Sequence, residues 1–228
     1  MSDFSGFPIE TIKFISGLSQ NNSKDWFEAH RADYDAHYIG PAKQFVAAMA
    51  EPLSKLHAGL VAEPRVNGSI FRINRDIRFS KDKTPYKDHL DLWFWEGNRK
   101  GAISGLFFRI AKDQLILGAG AHGFDKDRLA RFRNAVANTG QGDDLLALET
   151  SLSSQGLEMK GAHYSKLPRG FQPSGTETDR LLKFNALHAA WHLDHPAEMS
   201  TSAFIDYCIE KWKPLIPLHK WLVEMDEA

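Results

Sequence analysis

The chain has 228 residues, 43% of them hydrophobic and 25% charged, with a formal net charge of −1. That length can bury a core without disulfide or metal staples, and the single cysteine, Cys208, excludes an intramolecular disulfide. The near-neutral total also argues against bulk electrostatic binding of a long polyanion.

Pro8 followed by Ile9, Ile12, Phe14, Ile15 and Leu18 predicts a first short helix, broken at Gln20-Asn21-Asn22. Asn22 is expected to cap a second helix in which Trp26, Phe27, His30, Tyr34 and Tyr38 recur at helical spacing. Gly40-Pro41 separates this from a third helix carrying Phe45, Met49, Leu53, Leu56 and Leu60, which Pro52 should kink or interrupt.

From about Gly68 the pattern changes. Ser69–Asn74 alternates as a strand would, and Leu90–Trp95 is short and aromatic-rich. Ile103–Ala111 and Gln114–Leu117 flank Lys112-Asp113, a hairpin turn. Asp125 is placed to cap a helix with Leu129, Phe132 and Val136 on one side, and Asp143–Leu152 predicts another. Gly156–Pro173 is a loop with room for one strand, while Leu181–Leu193 fits helix or strand equally. Ser200 or Ser202 is expected to cap a C-terminal helix bearing Phe204, Ile205, Cys208 and Trp212, with a second segment after Pro214 or Pro217. The sum is an α+β fold: a central antiparallel sheet packed by N-terminal, middle and C-terminal helices in one domain, residues 1–228.

The window Arg72–Lys87 carries Arg72, Arg75, Arg78, Lys81, Lys83 and Lys87 against only Asp76 and Asp82, a local charge of +4 in a chain of −1. As a strand it would put arginines on both faces, a conflict with simple two-layer packing of the kind that marks functional sites. Pro85 forces a turn, and Tyr86 with the Ser80 and Thr84 hydroxyls completes a set suited to phosphate or carboxylate groups. The competing reading is a solvated charge run paired to Asp76, Asp82, Asp88 and Asp91.

Three other patterns invite a function. Gly118-Ala-Gly-Ala-His-Gly123 matches a dinucleotide-binding glycine pattern, but the strands before it look antiparallel, which favours a plain turn. His188, His192 and His195 would share one face of a helix, a metal-like spacing, though Asp194-His195-Pro196 favours a turn at its end. On a strand His188 and His192 would lie about 13 Å apart, so no metal is expected, with His188 and His192 as the alternative. Trp26 and His30 sit one turn apart beside a capped helix start, where an anion could also bind, whereas Phe27 and Tyr34 are expected in the core. Cys208 on an apolar face is a buried thiol rather than a nucleophile.

The segment Arg72-Ile-Asn-Arg-Asp-Ile-Arg-Phe-Ser-Lys-Asp-Lys-Thr-Pro-Tyr-Lys87 resembles the signature of a widespread, mainly bacterial family, domain of unknown function 2461. Asn21-Asn22 with Asp25-Trp26-Phe27, Gly118–Gly123, the Arg131–Arg133 helix and Leu167-Pro168-Arg169-Gly170-Phe171 are similar to further elements of it. The resemblance runs from about Phe7 to Leu222. It implies one domain in a cytosolic protein and brings no assigned catalytic residue or cofactor.

The leading functional expectation is a small anionic ligand held by Arg72, Arg75, Arg78, Lys81, Lys83 and Lys87, with Trp26 and His30 as further contacts. Tyr86 would stack or donate, and Asp76 would orient an arginine or act as a base. These two are the only candidates for catalysis. One alternative is a nucleic-acid-binding module with Trp26, Tyr86 or Trp93 stacking on bases, and the other is a structural role with the arginines in internal ion pairs. No cofactor is expected. The stretch Met1–Pro8 lacks the blocks of a leader and no run is apolar enough to span a bilayer. No membrane partner is therefore expected, and the cytoplasm is the expected compartment. Nothing in the residues sets an oligomeric state.

Overall fold

A computed structural model describes residues 4–227. Met1–Asp3, part of the stretch read for a leader, and Ala228, the end of the expected domain, lie outside the described residues.

The N-terminal third is helical. Helix α1 (Ile9–Gln20) buries Phe14, Ile15 and Leu18. A corner leads to α2 (Lys24–Ala29) and the short α3 (Arg31–Asp33), then a π-helical turn over Tyr34–Ile39 runs directly into α4 (Gly40–Leu56). Three expectations change here. Ser23, not Asn22, caps α2, its hydroxyl accepting from the Trp26 N–H. Gly40-Pro41 separates nothing, because the helix continues through it: the wider π-helical turn, with the Gly40 N–H on the Asp35 carbonyl, leads into α4 and accommodates Pro41, which has no N–H to give. Pro52 does not end α4, which continues to Leu56. The hydrogen bond it removes is near the helix end, and fully buried Met49 and Leu53 hold that turn on the core.

The sheet follows. Strands β1 (Leu60–Val61), β2 (His89–Glu96), β3 (Gly105–Ala111) and β4 (Leu115–Ala121) form a meander, joined by β5 (Lys160–Ala162) and β6 (Phe184–Leu193). The order is β1-β2-β3-β4-β6-β5, every pair antiparallel. Leu181–Leu193 divides: the one-turn helix α7 (Thr178–Leu181) precedes strand β6. An alanine-rich run is a helix former by itself, but β4 offers a free edge that this segment completes.

Between β4 and β6 lie α5 (Lys126–Ala137), capped by Asp125 as expected, and α6 (Thr139–Ser153), capped by Asn138 and starting four residues before the expected Asp143. Helices α8 (Phe204–Trp212) and α9 (Ile216–Glu227) close the chain. Neither Ser200 nor Ser202 caps α8, since Ala203 occupies that position.

Alternation divides the sheet into two faces. Leu90, Leu92, Phe94, Leu106, Phe108, Ile110, Leu117 and Leu187 are wholly buried and form one core with Phe45, Phe204, Trp212 and Leu222 from the helices. Each such side chain contributes about 1.5–3 kcal/mol. The opposite face carries Asp91, Trp93, Phe107, Arg109 and His188, and all of these but Asp91 are partly exposed.

The segment 69–87 is not a strand. Ser69–Phe71 runs beside β2 through one bridge, Ile70 to Leu92, and the chain then leaves the sheet. The Asn74 and Tyr86 arms pair with each other, and the loop between them projects outward, with Phe79 94% exposed. Its ions are better solvated there than against an apolar layer, which resolves the two-faced arginine pattern.

Candidate functional site

Asn22 anchors the basic loop to the helical layer. Its amide donates to the Tyr86 carbonyl at 2.9 Å and its oxygen accepts from the Tyr86 N–H at 3.0 Å. The Tyr86 ring is buried and stacks on Phe27, centroids 4.3 Å apart at 21°. Burial raises its phenol pKa, so the expected stacking or donating group faces the interior.

Within the loop, most cations already have partners. Arg75 bonds Asp82 at 2.5 Å and also the Thr84 hydroxyl and carbonyl. Asp82 accepts from the Thr84 backbone as well, and these bonds lower its pKa to about 2. Arg78 makes a two-pronged pair with Asp76 at 2.7 and 3.0 Å, which holds that carboxylate ionised below its usual range. Asp76 is thus a poor base at neutral pH. Lys83 donates to the Ile77 carbonyl. Arg72 and Lys81 are exposed and make no ion pair within 4.0 Å among the described residues.

The densest charge lies where the loop returns to the sheet. Asp91, 8% exposed at its side chain, accepts from Arg109 Nε at 2.6 Å and from a terminal guanidinium nitrogen at 3.0 Å. His89 Nε2 stands 3.2 Å from the same carboxylate and Lys87 Nζ 3.7 Å away. Burial alone would raise the Asp91 pKa, but the bonds and charges of His89 and Arg109 draw it below the usual value. Burial lowers the Lys87 ammonium pKa. Asp91 opposes this, while Arg109 and Arg72 reinforce it. The Lys87 ammonium and the Arg109 guanidinium therefore share one buried carboxylate. Beside them, a cleft of about 360 Å³ is lined by Ser19, Asn22, Arg75, Thr84, Lys87 and His89 together with the carboxylates of Asp82, which is paired with Arg75, and Asp88, which meets His89.

Trp26 and His30 line a separate cleft of about 470 Å³ with Lys13, Asp33 and His37. The two rings stack at 4.0 Å, so each already covers a face of the other. His188 and His192 sit four residues apart on β6, about 13 Å along the strand, too far to share a metal. His188 meets His122 instead, and its burial depresses its pKa to about 4. Gly118 and Gly120 lie inside β4 against the β6 backbone, not in a phosphate-binding turn. Gly120, at φ +126°, leaves no room for a side chain beside the Leu187 carbonyl. Cys208 is fully buried, and burial pushes its thiol pKa well up.

Residues 10–221 match the family model DUF2461, described as a conserved hypothetical protein. The chain belongs to that family. No curated protein and no solved structure matches it. No helix among the described residues of this DUF2461 member is long and apolar enough to cross a membrane.

Sequence reasoning missed two juxtapositions. Asp91 and Arg109 face each other across β2 and β3, a register that no local pattern announces. His57, Glu96 and His219 converge from three elements although 39 and 123 residues separate them. The first could have been suspected from a lone aspartate flanked by leucines in an aromatic-rich strand. The second left no signal in spacing.

Proposed function

We propose that this protein binds a small anion bearing a phosphate or carboxylate in the cleft lined by Arg75, Lys87 and His89. The observation that carries this reading is the unbalanced charge at Asp91, where Lys87 and Arg109 share a single buried carboxylate. A surplus cation held partly out of water gains more from an arriving anion than a solvated one does. The Ser19 and Thr84 hydroxyls line the cleft but already donate to the Ser16 carbonyl and to Asp82, so the cations carry the attraction. Lys81, Lys83 and Arg72 contribute attraction from outside, while Arg78 stays with Asp76.

The test is thermal unfolding and calorimetric titration of the full chain with inorganic phosphate, pyrophosphate and citrate. A ligand at 100 times its Kd adds about 2.7 kcal/mol, a rise of several degrees in Tm. Lys87→Ala is expected to abolish that rise and Arg78→Ala to leave it intact. No rise with any anion, or an equal rise in Lys87→Ala, rejects the reading.

The structural alternative draws on a different observation. The Arg75–Asp82–Thr84 and Arg78–Asp76 contacts are internal to the loop, so those two arginines also shape it. Nucleic-acid binding draws on Trp93 and Arg99, whose guanidinium lies 5.7 Å from the indole on the open sheet face, but Tyr86 is too buried to stack on a base.

A further inference from the structure

We propose that His57, Glu96 and His219 form a binding site for a divalent transition-metal ion of the zinc type. The three ligand atoms lie within 4.8 Å of one another, and this is the one such group among the described residues. His57 Nε2 is 2.9 Å from Glu96 Oε2, and His219 Nε2 is 3.0 Å from the same oxygen. Each donor comes from a different part of the fold: the residue after α4, the last residue of β2, and the first turns of α9.

The donor set and spacing suit zinc. Two imidazoles with one carboxylate form a familiar three-ligand arrangement that leaves a fourth position for water or substrate. Nitrogen donors select against magnesium and calcium, which take oxygen. Ligands about 2.05 Å from a tetrahedral centre stand about 3.3 Å apart. The two nitrogen-to-oxygen distances need to open by only a few tenths of an ångström, and the two nitrogens, within 4.8 Å of each other, need a ring adjustment of at most about 1.5 Å. In the proton-bound form, both Nε2 atoms point at one carboxylate oxygen. Replacing the bridging protons with one cation keeps all three groups aimed at the same point.

The surroundings fit the same role. His219 is fully buried, and its Nδ1 is 3.0 Å from the Ser104 hydroxyl. That hydroxyl can donate to Nδ1 when Nε2 carries the proton, and accept from Nδ1–H when Nε2 holds a metal. Gly59 lacks the Cβ that would collide with the Glu96 carboxylate. His57 and Glu96 are 20% and 28% exposed at their side chains, which leaves an entry path. An adjoining cleft of about 220 Å³ is lined by Glu96 and Ser104 together with Glu227, an exposed carboxylate that attracts a cation, and Asp226, which is already paired with Arg128 and Arg131.

The experiment uses tag-free full chain stripped with a chelator and titrated with Zn(II) by calorimetry and with Co(II) by visible absorption. Wild type is expected to bind one equivalent of zinc tighter than about 10 µM and to show the intense bands of tetrahedral cobalt. His57→Gln and Glu96→Gln are expected to lose both signals, and Ser104→Ala to bind about tenfold more weakly. Exposed His192→Gln and the anion-cleft variant Lys87→Ala are expected to bind as wild type does, so the two sites fail or stand separately. Circular dichroism checks each fold, and His57→Gln, altered outside regular structure, decides the matter should Glu96→Gln not fold. Absence of binding in wild type, or unchanged binding in His57→Gln, overturns the proposal and leaves the cluster as a hydrogen-bonded staple.

Discussion

His188 shows how one residue's surroundings set a pH response. Its ring is half-buried on β6 beside His122, and Nδ1 is buried without a hydrogen-bond partner among the described residues. Burial first, then the His122 and Lys160 charges, depress its pKa to about 4, against 6.5 in an unfolded chain. Between these values the unfolded state binds a proton that the folded state does not, so folding stability falls as pH drops from about 6.5 toward 4. Replacing His188 with Phe is expected to flatten that part of the curve, measured as Tm against pH. An unchanged slope would show that other groups carry the acid sensitivity. The identity of this histidine was plain in the sequence, and so was its distance from His192. Its low pKa was not, because the cause is a neighbour 66 positions away that strand pairing brings close.

At the scale of elements, the corner between α1 and α2 holds the basic loop. The Asn22 side chain makes both hydrogen bonds that a strand neighbour would make to the Tyr86 backbone. Asn22→Ala is expected to cost about 1–3 kcal/mol, from two lost bonds near a buried ring. Trypsin should then cut the Arg72–Lys87 loop faster while α2 keeps its Ser23 cap. Equal digestion of variant and wild type would mean that Phe27 stacking alone holds the loop. Elements with strong local codes were legible: the β3–β4 hairpin around Lys112-Asp113, the Asp125 cap and the amphipathic faces of α1 and α8. Elements decided by partners were not. Ser69–Asn74 alternates like a strand, yet only Ile70 finds a place on β2, and β6 looked equally helical until β4 offered its edge.

Across the whole molecule, one core joins residues from Phe4 to Met225 through both sides of the chain. A continuous core of this kind favours a single cooperative unit. Differential scanning calorimetry is expected to give one transition whose calorimetric and van't Hoff enthalpies agree. Two separated transitions would instead mark α5–α6, which pack chiefly on each other and on α9, as an independent unit. The sequence by itself determined the class of the fold, the family, the local excess of positive charge and most helix and hairpin positions, because each of these follows from nearby residues and their periodicity. Tertiary structure alone decided which cations of Arg72–Lys87 are already paired, that Lys87 meets Arg109 at Asp91, and that His57, Glu96 and His219 share one point. Those facts depend on strand register and helix packing, which bring together residues too distant for any spacing rule to connect.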